Sequence, residues 1–452
     1  MMRTGLPRPG SGSRRILVVG GGASGVLLAA QLLRRDEDRV AVTIVEKGAM
    51  LGCGVAYSTT DPTHLLNTRV ANMSAYPSEP HHFLDWLKRQ GDADADPDGF
   101  VSRPTYGRYM GALLDPWSGG ERLDCRRAEC VGLDIRSDGV TAHLSDGGRI
   151  EADLAVLATG HALPDRRKDP ELSQPWAGAE GPCHGPVLIV GSGLTMVDQV
   201  LSLLAAGHRG PITVMSRHGL LPQVHRQVAP GGWTPEGPPP VGRVSDLMRW
   251  LRAEVRRRED QGGDWREVVD GLRPQIQAIW RDMPLAARRS FLRHASPWWE
   301  VHRHRMPPSS HEKLDLARAS GQLRLVRGRF ERASQDTGGG LVAHVRGPDH
   351  RPADIRVARI IDCRGIRRDP EAHASPLIAS LLASGEAFID PLRLGLDVGP
   401  DCDVLRPDGS RSERLFAMGP VSRAAFWEIT AIPDIRLQAE RLARRLLDAV
   451  LT

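Results

Sequence analysis

Paired cysteines are missing from this chain. Its six cysteines, Cys53, Cys125, Cys130, Cys183, Cys363 and Cys402, contain no CxxC, and the closest two are Cys125 and Cys130. No disulfide framework organises such a sequence, and a reducing cytoplasm is its expected setting. No run of 18 apolar residues occurs, so nothing reads as a membrane span. The opening stretch MMRTGLPRPGSGSRR has basic residues but no apolar core, and it reads as a disordered leader, not a signal peptide. Aromatic residues make up only 5%, although Trp contributes 10 of them. Charge of either sign is not in great excess: 60 Lys+Arg against 55 Asp+Glu leaves +5. That suits anionic small molecules as readily as nucleic acid, and acids such as Glu254, Glu259, Asp260 and Asp282 interrupt the basic residues of the Arg- and Trp-rich part. No nucleic-acid or membrane partner is therefore expected. The 452 residues suffice for two domains and an insertion.

What is present begins at residue 15. RILVVG reads as a strand, GGGASG as a turn, VLLAAQLLRR as a helix and VAVTIVEK as a second strand, together a βαβ unit. Gly20, Gly22 and Gly25 fill the three glycine positions of GxGxxG, with Ala23 and Ser24 between the last two. The first glycine permits the tight turn, the second admits a pyrophosphate, and the third lets helix and strand pack closely. The helix that follows aims free N–H groups and its positive end at phosphate. Glu46, followed by Lys47, ends the second strand where a carboxylate accepts hydrogen bonds from ribose hydroxyls. FAD is the expected ligand.

A second βαβ unit starts at PVLIVGSGLTMVDQVLSLLAAG and closes with ITVMSR. Its loop runs Gly191, Ser192, Gly193, Leu194, Thr195, Met196, and lacks the third glycine. The end of its second strand lacks an acid and reads Ser216, Arg217, His218. A guanidinium there suits a 2′-phosphate, which points to NADP(H) over NAD(H). Two nucleotide cradles imply hydride passing from one ligand to the ring of the other. Between and beyond the two units, residues 48–80 read as loop, HHFLDWLKR and YGRYMGALLDPW as helices, and GDADADPDG as an exposed tip. The stretch from Cys130 to Gly160 reads as strands, VAPGGWTPEGPPPVGR as irregular, and 244–320 as an Arg-rich helical insertion. Strands resume at LRLVRG, LVAHVRG and ARIIDCRG, and a final amphipathic helix is opened by Pro433 and Asp434 after Ile432.

Two such loops in this order resemble the two-dinucleotide-binding flavoproteins. The stretch DLAVLATGH (153–161), with Thr159 and Gly160, is similar to the LATG segment that links the FAD and NADPH domains of class B and N-hydroxylating flavin monooxygenases. IIDCRG (360–365) looks like its counterpart on the return crossing, and FVSRPTYG (100–107) like their FxxR segment. RLFAMGP (414–420), with Gly419 and Pro420, resembles their late FAD-contacting turn. GCGVAYSTTDPTHLLNTRVANMS, GSGLTMVD, WWEVHRHRMPP and FWEITAIPDIRLQ are similar to hallmarks of a broad group of bacterial FAD/NAD(P)-binding proteins. The Baeyer–Villiger fingerprint FxGxxxHxxxW is absent, since PWAGAEGPCHGPVLIVG stands in its place, and ketone oxygenation is disfavoured.

The expected architecture is α/β, with two Rossmann-like domains and a helical insertion. The FAD domain is expected over 1–182 and 371–452, and the NAD(P) domain with its insertion (about 244–320) over 183–370. The resemblance implies an FAD- and NADPH-dependent oxidoreductase, a single-component monooxygenase of the N-hydroxylating kind acting on a small molecule and O2. A reductase passing electrons to a quinone or protein partner, and a non-catalytic FAD protein, stay open, as does a homo-oligomeric state. Asn67, Asn72 and Ser74, in the loop after Gly54, are candidate contacts to the reacting groups, although such residues are also ordinary in loops. Cys125 and Cys130 lie too far from the first unit to be a reductase dithiol. The Trp298–Arg305 segment is either a lid over an acidic substrate or the 2′-phosphate, or a helix–loop junction with solvated basic residues.

Overall fold

The computed structural model describes residues 14–35, 39–162, 170–175, 183–227, 233–365 and 369–451. The leader, and part of the stretch standing in place of the Baeyer–Villiger fingerprint, lie outside them. The chain divides into two compact units. One comprises 1–58, 68–163 and 367–452, the other 59–67 and 164–366.

The first unit is built on a six-stranded sheet in the order Asp403–Leu405, Arg411–Ala417, Leu154–Leu157, Arg14–Val19, Val40–Glu46, Leu123–Arg127. Only the first pair is antiparallel. Ile16, Leu17 and Val18 are wholly buried, as β-branched and aliphatic runs in a parallel sheet covered on both faces must be. The helix Ala23–Leu33 is apolar nearly all round, and all but its first residue is buried. It is covered by the last helix, Ile432–Leu451, which buries Ile435, Ala439, Leu442, Ala443 and Leu446 at helical spacing.

The second unit repeats this plan. Its sheet runs Leu323–Arg327, Ile212–Ser216, Val187–Val190, Arg359–Asp362, Leu172–Ser173, all parallel. Each unit returns to its first strand through a three-stranded antiparallel sheet. In the first unit this is Cys130–Ile135, Val140–Leu144 and Arg149–Ala152, and in the second Arg329–Gln335, Leu341–Arg346 and Pro352–Val357. The helical insertion holds six α-helices: Val244–Asp260, Trp265–Gly271, Ile276–Asp282, Leu285–His294, Ser296–Arg303 and Pro308–Ala319. The last of them packs on Leu194–Ala205 and feeds the edge strand Leu323–Arg327, so it is the crossover that a parallel strand needs. Residues 233–243 hold no helix or strand.

Candidate functional site

The register of the first sheet sets the first cradle. Val19 pairs with Val45 on one side and Leu157 on the other, so the chain leaves the sheet at Gly20 beside Glu46 and Ala158. Gly20 has φ +105°, and a Cβ there would stand 2.4 Å from the Ala158 oxygen. A Cβ on Gly25 would stand 1.9 Å from the Gly20 oxygen, so this third glycine is what lets the helix start close to the strand. Gly22 is different: its φ is −70°, and the nearest atom to a Cβ there would be the Gly54 Cα at 3.4 Å. The backbone there admits a side chain. No side chain caps the helix Ala23–Leu33, and no acid stands in its first turn, which leaves its N–H groups for an anion. The Glu46 carboxylate accepts from the Gly21 N–H at 2.7 Å and from the Gly48 N–H at 2.6 Å, which fixes it at the mouth of the loop. Lys47 turns away to an ion pair with Glu129 at 3.0 Å.

Two contacts here were not legible in the chain. The GCG stretch wraps the glycine loop, with the Gly52 N–H donating to the Gly21 oxygen at 2.8 Å. At the other end, Gly419, with φ +67°, lies against Ser24, and its N–H donates to Gln438 Oε1 at 2.8 Å. Gly419 and Pro420 open a short 3-10 turn over Gly419–Ser422. Ile432 and Pro433 form the first turn of the last helix with Asp434. Thr159 and Gly160 follow Ala158. Gly160 has φ +74°, and a Cβ there would meet no atom of the described residues within 4 Å.

The second cradle has the same construction. Val190 pairs with Met215 and Asp362, so Gly191 stands beside Ser216 and Cys363. Gly191 has φ +108°, and its Cβ would lie 2.2 Å from the Cys363 oxygen, matching Gly20 against Ala158. A Cβ on Gly193, the counterpart of Gly22, would meet no atom of the described residues within 4 Å, and the helix Leu194–Ala205 again lacks a side-chain cap and a first-turn acid. Leu194 and Thr195 form that first turn. Met196 replaces the third glycine and is wholly buried in this unit's core. The position of Glu46 is taken by Ser216, whose hydroxyl accepts from the Ser192 hydroxyl at 2.9 Å and from the Gly219 N–H at 3.1 Å. Arg217 follows, exposed, with no hydrogen bond or ion pair among the described residues.

The three candidates for the reacting centre fall in different places. Asn67 belongs to the second unit, where its backbone oxygen contacts the His225 ring at 2.9 Å. Asn72 ends a 3-10 turn of the first unit and is exposed. Ser74 is completely buried, and its hydroxyl donates to the backbone of Tyr76 and Glu79. Beside Asn67, Ser202 Oγ lies 2.8 Å from His64 Nε2 and donates to Asp61. This is not a nucleophile triad, because Thr59 and not the carboxylate meets the far ring nitrogen, at 3.0 Å. The cluster instead ties residues 59–67 to the helix Leu194–Ala205.

All six cysteines are unpaired. Burial pushes the Cys130 thiol up to about 11 and raises those of Cys53 and Cys125. Thiols held protonated are poor nucleophiles. Replacing Cys53, or Cys125 and Cys130 together, with serine should leave the rate of flavin reduction by NAD(P)H within about twofold of the parent, measured by stopped-flow absorbance.

Comparison with known proteins agrees with this geometry. Residues 17–162 match the family model described as FAD-NAD(P)-binding. An uncharacterized protein of Escherichia coli K12, YdhS, is 23% identical over 252 residues, a match that spans 46% of this chain and 46% of that relative. An ornithine N-hydroxylase of Kutzneria sp. 744, in complex with reduced FAD, NADP+ and L-ornithine, is similar in structure with a TM-score of 0.66 and 12% identity, covering 96% of this chain and 99% of that one. The bacillithiol disulfide reductase of Staphylococcus aureus is similar with a TM-score of 0.56 and 12% identity, covering 97% and 99%. Residues 17–162 are thus an FAD/NAD(P)-binding domain, and the chain has the fold of the two-dinucleotide-binding flavoprotein oxidoreductases.

Proposed function

We propose that this protein is an FAD-containing, NADPH-dependent monooxygenase that hydroxylates the nitrogen of a small amine. The observation that carries the coenzyme assignment is the register of the two cradles. The place that holds the Glu46 carboxylate in the first is held in the second by Ser216, with an unpaired Arg217 after it. A carboxylate there favours a free 2′-hydroxyl, whereas a guanidinium favours a 2′-phosphate. The reaction class is supported by the structural likeness to an ornithine N-hydroxylase and by thiols that burial keeps protonated.

When bound, FAD supplies hydride acceptance and the activation of O2. The chain's own residues then have distinct tasks. Gly20, Gly22, Ala23, Ser24 and Gly25 hold the FAD pyrophosphate at the helix terminus, and Glu46 accepts from its ribose. Thr159, Gly160, Gly419, Pro420 and the turn Ile432–Asp434 border the same ligand, and Lys47 stays with Glu129. Gly191, Gly193, Leu194 and Thr195 hold the coenzyme pyrophosphate, and Ser216 and Arg217 its adenosine end. The side-chain amides of Asn67 and Asn72 have no hydrogen-bond partner among the described residues, whereas the Ser74 hydroxyl is committed to holding its loop.

The test is turnover of the purified flavoprotein with NADPH and a panel of small amines under air. Amine-stimulated NADPH consumption with a product one oxygen atom heavier is the expected result. Fast electron transfer to a quinone without oxygen incorporation would replace the proposal with a reductase. Failure of both NADPH and NADH to bleach the flavin would make the protein non-catalytic.

A further inference from the structure

The exposed rim of the second cradle carries groups that its pyrophosphate loop does not use. Arg217 and His218 sit on the turn that ends the strand Ile212–Ser216, and Gly219, at φ +63°, closes that turn. The neighbouring strand brings Arg327 into register with Ser216. The Arg327 stem lies across the turn, with its Cγ 2.7 Å from where a Gly219 Cβ would be. Both guanidiniums are exposed, and neither has a hydrogen bond or ion pair among the described residues. Two unpaired cations on neighbouring strand ends concentrate positive charge at this rim, which an anion would neutralise.

The helical insertion reaches the same rim. Trp298, 48% exposed, has its ring centroid 6.5 Å from that of His218, tilted by 44°. An exposed indole offers a flat, polarisable surface on which another ring can stack. Its helix, Ser296–Arg303, is fixed to the chain that follows this turn. The Gln223 N–H donates to the Val301 oxygen at 2.8 Å, Val224 bridges to Met306, and Trp265 packs edge-on against His302 at 4.9 Å. Trp298 is therefore an aromatic ring held in place beside His218, on the turn that carries Arg217.

We infer that Trp298 stacks on the adenine of the coenzyme while Arg327 joins Arg217 in gripping its 2′-phosphate, so that the helical insertion adds affinity for the adenosine end and the edge strand selects the phosphate. This rests on the coenzyme reading above and extends it to two residues outside the glycine-loop unit. A stacked base and a bidentate phosphate contact are chemically separable, and the separation gives the test. Adenosine 2′,5′-bisphosphate and 5′-AMP are titrated calorimetrically into the FAD-loaded protein, so that no turnover is involved.

The parent should bind the bisphosphate far more tightly than 5′-AMP. Trp298→Ala should weaken both about tenfold, with Trp298→Phe recovering most of the loss, because stacking on a base is indifferent to the phosphate. Arg327→Gln should weaken the bisphosphate about tenfold or more and leave 5′-AMP unchanged. Unchanged affinities in both variants, with the parent still discriminating, would overturn this inference and leave the coenzyme assignment standing. A parent that binds the two ligands equally would overturn both.

Discussion

Gly22→Ala should give a folded protein whose FAD affinity is sharply weakened. The backbone at Gly22 has φ −70°, open to any L-residue, and the nearest atom to an added Cβ is the Gly54 Cα at 3.4 Å, an ordinary contact. The methyl thus costs the apo-protein little. It occupies the space that a pyrophosphate needs between the loop and the uncapped N-terminus of the helix Ala23–Leu33. Forcing one methyl into a close-packed contact costs about 1–3 kcal/mol, or roughly five- to 150-fold in FAD affinity. Gly20→Ala should fail differently. Its φ of +105° and the Ala158 oxygen 2.4 Å away leave no room for a Cβ even without ligand, and the sheet itself must give. Flavin absorbance of the purified variants, alongside far-UV circular dichroism, separates the two outcomes. A yellow Gly22→Ala protein with normal FAD affinity would mean that FAD does not use this loop.

The contrast between these two glycines also marks what the chain discloses by itself. GGGASG with Glu46 is legible because every requirement is local: a strand, a turn, a helix and an acid follow one another within one βαβ unit. The second cradle is legible for the same reason, down to Ser216 and Arg217. What encloses the first cradle is not. Gly54 beside Gly22 and Gly419 beside Ser24 are contacts between residues that are 32 and 395 positions apart, and nothing in either segment's periodicity announces the other. The strands Arg329–Gln335 and Pro352–Val357 are polar and largely exposed members of a three-stranded sheet, so they lack the apolar run that makes Ile360–Asp362 readable. Trp298 was conspicuous as one of a Trp pair, but its nearness to His218 depends on a helical insertion whose packing no motif encodes.

Coenzyme choice should turn on two adjacent residues. Arg217→Ala should lower kcat/KM for NADPH by roughly ten- to a hundredfold while leaving NADH nearly unaffected, since a hydrogen-bonded guanidinium on a phosphate contributes about 1.5–3 kcal/mol. The change should appear in KM and not in kcat, because the 2′-phosphate is remote from the hydride and binds the ground and transition states alike. Adding Ser216→Glu should go further and raise activity with NADH. The first cradle supplies the precedent within the same molecule: Glu46 occupies the equivalent register, and its carboxylate is held by the N–H of Gly21 at 2.7 Å. In the second loop Ser192 stands where Gly21 does, and its N–H is available to a carboxylate at 216 once the Ser192–Ser216 hydroxyl contact is gone. The double variant therefore places at 216 the carboxylate that the first loop holds at the same register. Equal kcat/KM for NADPH and NADH in the parent protein would sink this argument at its first step, because the guanidinium would then have nothing to select.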